Sequence, residues 1–357
     1  MTSTAYFLCP DDDRPFGGIR VIYRFVDILN SHGFHAAVAH RSPRFRCTWF
    51  ANDTRVVGAK DIRLETGDLL VLPERLRQLI PKVAPGVANV VFNQNAYETF
   101  THLPVGTGVP TEVTSDDTIG IVCVSEENRR YLELSFPQAR VMRVRIGIDT
   151  ELFRASPSGK RRAIAYMPRK RSKELNEVLQ ILQRRGSLKG WELVPIQGMS
   201  EADTAAALSS SAVFLALNER EGLGLPPLEA MASGCVVVGF HGGVGTEYMR
   251  PGSAVPIGDG DVIEMVLKVE SILSRWGSDD ALVTMTDNAV HLVRSEYSRE
   301  SEAADVVRIF GGALDEVKGV EPRSRRLDAT VLPRRGVVTK VGERLLSSVT
   351  SRHTGLS

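Results

Sequence analysis

Cysteine is scarce in this chain. The four residues, Cys9, Cys47, Cys123 and Cys235, stand far apart, with no Cys-x-x-Cys pair and no histidine beside them at metal-ligand spacing. A disulfide framework and a zinc site are thereby excluded, and the pattern fits reduced thiols. Long apolar runs are missing too: no window approaches the roughly 18 consecutive apolar residues that a membrane-spanning helix needs. The opening residues, Met1 to Pro10, lack the basic and apolar regions of a secretory signal, so the expected location is the cytoplasm. Neither sign of charge dominates. With 44 Lys and Arg against 43 Asp and Glu, the net charge of +1 gives no general reason to expect nucleic acid as a partner. What the chain does have is length. At 357 residues it exceeds the size at which one core stops growing, so two domains are the default.

Short apolar runs alternate with longer amphipathic stretches, a β/α repeat that implies mostly parallel sheets. Strands are predicted at 5–9, 35–39, 68–72, 89–93 and 119–124. Between the first two, Val21, Ile22, Phe25, Ile28 and Leu29 follow helical spacing and Gly33 ends the helix. The second half repeats the plan, with strands at 163–167, 192–196, 213–217 and 236–240 and helices at 172–185, 204–208 and 226–233. The expectation is an α/β chain of two doubly wound Rossmann-like domains facing a cleft, 1–148 and 149–300. Residues 301–316 form a helix that returns to the first domain. In such sheets ligands bind beyond the carboxyl ends of the strands.

The last segment, 317–357, changes character. Nine Lys and Arg stand there against three acids, and Val337, Val341, Leu345 and Val349 recur every fourth residue beside Lys340 and Arg344. A basic amphipathic helix over 336–350 can lie peripherally on an anionic membrane surface. A helix packed on its own domain, or a frayed tail, is the plainer reading.

The most informative stretch runs from Asn218 to Cys235, with Glu221-Gly222-Leu223-Gly224-Leu225-Pro226-Pro227-Leu228-Glu229 at its centre. It follows a strand, crosses a glycine loop and enters a helix whose first turn holds Pro226 and Pro227, where missing N–H groups cost nothing. The free N–H groups and the positive end of the helix dipole seat a phosphate. Gly222 and Gly224 permit close backbone approach. Glu221 at the loop's entrance and Glu229, read as lying in the first helical turn, can both accept hydrogen bonds from the hydroxyls of one ligand. A sugar nucleotide carries such hydroxyls on its hexose and its ribose.

This run resembles the Glu-x7-Glu signature of the retaining glycosyltransferases of family 4, which have the GT-B fold. Gly17-Gly18 is similar to the family's N-terminal glycine loop, and Gly147-Ile148-Asp149 with Phe153 to its interdomain signature. The run from His241 to Tyr248 and Gly258-Asp259 also fit, so the likeness covers about residues 5 to 310. The resemblance implies transfer of a hexose from a nucleoside-diphosphate sugar to a glycan, lipid-linked or small-molecule acceptor, with retention. Glu229 would bind the ribose, Glu221 the transferred sugar, and the amides of Gly222, Leu223, Gly224 and Leu225 the sugar and the distal phosphate. Gly17 and Gly18 would leave room for the donor.

A leaving diphosphate needs cations. Lys160 to Lys173 holds seven Lys and Arg and no acid. By the resemblance Arg169 and Lys173 would hold the diphosphate, with Lys170 as substitute, because this chain lacks the family's Gly-Arg pairing and shortens the Arg-to-Lys spacing. Where relatives carry a histidine, this chain has Phe92-Asn93-Gln94-Asn95, whose amides, Asn95 included, can meet sugar hydroxyls; His102 reads as an ordinary loop residue. Asp11-Asp12-Asp13 sits in the wrong architecture for a metal-held diphosphate, so no metal or other cofactor is expected. Acceptor contacts are expected from 41–52 and 98–114. The alternatives are an epimerase or phosphorylase on the same fold, or a catalytically silent subunit that binds nucleotide sugars.

Overall fold

The structure, a computed structural model, describes residues 3–79, 85–101 and 116–332. His102, most of the 98–114 loop and the 336–350 segment lie outside these residues. Two units emerge. The first draws on 1–123, 129–144 and the chain from 303 onward; the second comprises 124–128 and 145–302.

The first unit holds a seven-stranded parallel sheet in the order β3-β2-β1-β4-β5-β6-β7. Its strands are β1 (Thr4–Leu8), β2 (His35–His40), β3 (Val56–Gly58), β4 (Leu69–Pro73), β5 (Asn89–Asn93), β6 (Thr118–Cys123) and β7 (Val141–Arg143). Helix α1 (Gly17–Ser31) joins β1 to β2, burying Val21, Ile22, Phe25, Val26 and Leu29. Its spacing of apolar residues is what makes it a helix with one dry face. Phe310, from a single π-helical turn at Val307–Gly311, packs on Phe7 and Phe25 with ring centroids 5.2 and 5.7 Å apart. The C-terminal stretch is thus part of this unit's core.

The second unit has a five-stranded parallel sheet, β12-β11-β10-β8-β9. Its strands are β8 (Arg161–Tyr166), β9 (Glu192–Pro195), β10 (Ser211–Leu217), β11 (Val236–Phe240) and β12 (Val255–Ile257). The central β10 and β11 are buried throughout, as expected of strands covered on both faces. Helix α2 (Glu126–Ser135) begins in the 124–128 stretch, α3 (Ser172–Arg184) follows β8, α4 (Glu201–Ser210) follows β9, and α5 (Leu225–Ala232) lies between β10 and β11. Two further helices, α6 (Val262–Arg275) and α7 (Asp280–Glu296), are each started by an aspartate: Asp261 accepts from Glu264 N–H and Asp279 from Ala281 N–H. None of the described helices is long and apolar enough to cross a membrane.

Each sheet has a point where the strand order reverses, between β1 and β4 in the first and between β8 and β10 in the second. The loops leaving these strand ends are where open α/β sheets place their ligands.

Candidate functional site in the second unit

At the β8/β10 reversal two loops meet. After β8 runs Met167-Pro168-Arg169-Lys170-Arg171, and after β10 runs Asn218-Glu219-Arg220-Glu221-Gly222-Leu223-Gly224. Arg171 and Arg220 are the two non-glycine residues with positive φ among those described, at 43° and 47°. Left-handed backbone is costly for a side-chain-bearing residue, and such strain collects where a site demands it. One lies in each loop.

Lys170 and Glu221 bridge the loops: the ammonium donates to the carboxylate, and each side chain keeps 22% of its exposure. Below them lies a small cavity lined by Met167, Lys170, Phe214, Leu217, Asn218 and Pro226. The Arg171 side chain is only 11% exposed. Its Nε donates to the Asn218 carbonyl at 2.8 Å, and its guanidinium lies 5.1 Å over the Phe240 ring. Two acids accompany it, Glu174 at 3.3 Å and Asp259 at 3.4 Å.

The glycine loop is held from beneath. Asn218 Nδ2 donates to the Tyr248 hydroxyl at 3.2 Å, which is directed at the carbonyls of Leu223 (2.9 Å) and Gly224 (3.1 Å). Burial pushes the Tyr248 phenol far above its usual range, so it remains a donor. From another direction, Asn128 Nδ2 donates to the Gly222 carbonyl at 3.1 Å. Gly224 has φ 80°, and a Cβ there would come within 2.6 Å of the Tyr248 hydroxyl. Only glycine serves at this position.

Gly224 is also the N-cap of α5, so the helix begins at Leu225, one residue earlier than the sequence suggests. Glu229 is therefore its fifth residue and opens the second turn, rather than standing in the first. It is buried, with 5% of its surface exposed. Arg169 and Lys173 are both exposed, Lys173 as the second residue of α3. The cation that contacts Glu221 is Lys170.

In the first unit, Gly17 opens α1 and a Cβ on Gly18 would approach the Gln94 amide to 3.0 Å. Gln94 N–H donates to the buried Glu74 carboxylate at 3.1 Å, and burial raises the pKa of that acid. Asn95 is used locally: its Oδ1 accepts from Tyr97 N–H at 3.2 Å, capping the turn Ala96–Glu98. The three neighbouring aspartates are equally committed. Asp11 accepts from Arg41 N–H (3.0 Å) and Ser42 N–H (2.9 Å) and lies 3.2 Å from His40 Nδ1, while Asp13 binds Thr48. Asp12 pairs with Arg14. These bonds fasten the 41–52 loop to the end of β1. No three His, Cys, Asp or Glu side chains gather as metal ligands among the described residues.

Arg171, Asn218, Tyr248 and Asn128 escape the sequence reading. Asn218 and Tyr248 stand inside runs that it singles out, but nothing in the order Arg-Lys-Arg-Ser-Lys says which cation turns inward.

Comparison with known proteins finds relatives of this region. Residues 169–275 match the family model described as glycosyl transferases group 1. This segment of the second unit is similar to the group 1 glycosyltransferases. Arg169, Lys170 and Arg171 of the basic loop and the Glu221–Glu229 helix entry fall inside the matched segment. Over 159 residues the chain is 30% identical to an α-1,6-glucosyltransferase of Actinobacillus pleuropneumoniae, covering 43% of this chain and 47% of that protein. Over 108 residues it is 31% identical to the lipopolysaccharide core biosynthesis mannosyltransferase LpcC of Rhizobium leguminosarum bv. viciae, covering 29% of each. The chain thus spans less than half the length of the curated relatives it matches. Among solved structures, a sucrose-phosphate synthase of Thermosynechococcus elongatus superposes with TM-score 0.66 at 12% identity, over 88% of this chain and all of that one. HepE of Anabaena, solved with UDP-glucose, does so with TM-score 0.63 at 12% identity, over 87% and 99%. The shared architecture is the GT-B fold, and at these identities it is the fold alone that is shared.

Proposed function

We propose that the chain transfers a hexosyl group from a nucleoside-diphosphate sugar to a glycan, lipid-linked or small-molecule acceptor, without a metal and with retention of anomeric configuration. The observation that carries this reading is the Lys170–Glu221 pair, each partner next in sequence to a left-handed arginine, at the strand-order reversal in the segment similar to group 1 glycosyltransferases. A carboxylate and an ammonium kept partly exposed beside the entry of α5 form a polar seat for a ligand with both hydroxyls and phosphate. Two of the relatives are named for glucosyl and mannosyl transfer, which supports a hexose.

In this reading Glu229 accepts from the ribose hydroxyls and Glu221 from the sugar. Lys170 and Arg169, with Lys173 at the start of α3, balance the charge that grows on the leaving diphosphate as its bond to the anomeric carbon breaks. Donors fixed in place before the reaction stabilise that charge without reorganisation. The acceptor hydroxyl then bonds to the anomeric carbon on the same face, its proton passing to the departing phosphate.

A thermal-shift screen against UDP, GDP, dTDP and ADP sugars tests the donor class. A true donor at one hundred times its dissociation constant adds about 2.7 kcal/mol to the stability of the native state. Glu229→Ala should weaken nucleotide binding by roughly 1.5–3 kcal/mol in calorimetry, the range for hydrogen bonds to a charged group. No shift with any sugar nucleotide contradicts the donor class. An α-linked donor yielding a β-linked product, read from the anomeric coupling in NMR, contradicts retention.

A further inference from the structure

We propose that Arg171 is a positioning residue of the donor site, tying the basic loop to the glycine loop and so setting Lys170 against Glu221. The inference rests on the donor-site reading above and concerns a residue that no comparison assigns.

The first observation is conformational. Arg171 occupies the N-cap of α3 at φ 43° and makes no side-chain cap there. Glycine or asparagine would suit this backbone, and serine or aspartate would cap the helix; arginine does neither well. A feature of the arginine side chain must offset the strain.

The second observation is what that side chain does. It turns inward, donating to the Asn218 carbonyl at the end of β10 and lying over Phe240 at the end of β11. Its other partners are Glu174 on α3 and Asp259, and Asp259 Oδ1 also accepts from Gly242 N–H at 3.1 Å. One guanidinium thereby joins the loop after β8, the ends of β10 and β11, and the segment after β12. The amide side chain of Asn218 continues the chain of bonds through Tyr248 to the carbonyls of Leu223 and Gly224. Lysine cannot substitute, because only the planar fork can donate at Nε, stack on a ring and face two carboxylates together.

The third observation is electrostatic. With Glu174 and Asp259 beside it, the Arg171 charge is already compensated inside the protein. The neighbouring Lys170 meets a single carboxylate, Glu221, and keeps 22% of its exposure, so it can turn to the diphosphate beside Arg169 and Lys173. Arg171 therefore acts through Lys170 and the glycine loop rather than on the ligand.

The test uses the full chain with UDP-glucose and GDP-mannose as probes. The readout is slow release of nucleoside diphosphate to water: the anomeric C–O bond breaks, water bonds to the anomeric carbon, and its second proton goes to solvent. Arg171→Gly relieves the left-handed backbone while deleting the guanidinium. Its melting temperature should equal or exceed that of the parent, while kcat falls at least tenfold and KM for the donor changes less than threefold. Arg171→Lys should recover under a third of the lost kcat, and Asp259→Asn should fall between the two. An Arg171→Gly or Arg171→Lys chain with parental kcat overturns the proposal. So does a melting temperature that drops while turnover per folded molecule holds. A parental chain that binds neither probe nor any other UDP, GDP, dTDP or ADP sugar overturns the donor-site reading itself, and the proposal with it.

Discussion

The two strand-order reversals of this molecule use the same topology in opposite ways. In the first unit the acids just after β1 and β4 are buried and bonded to backbone: Asp11 to the amides of Arg41 and Ser42, Glu74 to that of Gln94. In the second unit, Lys170 and Glu221 retain 22% exposure and bond to each other across two loops held in strained backbone. Buried charges satisfied by N–H groups organise loops, whereas a half-exposed charge pair can exchange its partner for a ligand. The second reversal thus presents a charge pair open to a ligand, and the first presents carboxylates already bonded to backbone.

The sharpest way to break this comparison is Lys170→Ala against Gln94→Ala. If the second unit carries the charge chemistry, Lys170→Ala should lower kcat about 10²–10³-fold, the usual cost of one positioned electrostatic group. Gln94→Ala, at the reversal of the first unit, should lower it by less than tenfold. Steady-state release of nucleoside diphosphate measures both, and the reverse order would move the charge chemistry to the first unit.

Gly224→Ala sharpens the claim that backbone shape, not only charge, builds the second crevice. A Cβ would meet the Tyr248 hydroxyl at 2.6 Å, and alanine would have to hold φ 80°. Denaturant unfolding should show a loss of about 1–3 kcal/mol for the left-handed conformation and its contact. A stability equal to the parent would show that the loop relaxes freely.

The smallest effects belong to the buried acids of the first unit, and they have opposite signs. Burial works to raise the Asp11 pKa, but hydrogen bonds from His40 and Ser42 outweigh it and hold the carboxyl below its usual value. An acid with a lowered folded pKa contributes stability above its unfolded pKa and loses it as pH falls through the folded one. Asp11→Asn should therefore lower stability at neutral pH and flatten the acid limb of the stability curve. Glu74 is the contrary case. Burial raises its pKa, so its ionisation opposes folding above the unfolded value, and Glu74→Gln should gain stability at pH 7. Melting temperatures from pH 3 to 8 check both, and a Glu74→Gln chain that melts lower at pH 7 would contradict the second.

Much of the architecture is legible from pattern alone. Val21, Phe25 and Leu29 mark α1, and the runs at 213–217 and 236–240 are buried strands because nothing polar interrupts them. The three-residue strands β3, β7 and β12 go unread, since so short an edge strand leaves no period to count. Helices α6 and α7 also go unread, although Asp261 and Asp279 are ordinary caps followed by apolar spacing.

The amino-acid order by itself determined the two β/α halves, the glycine-loop entry to α5 and the clustering of cations ahead of α3, because these depend on local periodicity and on residue types with narrow backbone preferences. Only the tertiary structure decided which cation does what. Arg169, Lys170, Arg171 and Lys173 are near-equivalent in sequence, and what separates them is whether β10 and β11 offer a carbonyl and a ring to one, and a carboxylate to another. It also moved Glu229 past the first turn of α5, through the left-handed turn of Gly224, and committed Asp11 and Asp13 to the 41–52 loop. The cation and aspartate outcomes follow from contacts across dozens of residues, where burial and hydrogen-bond satisfaction, not propensity, choose the partner.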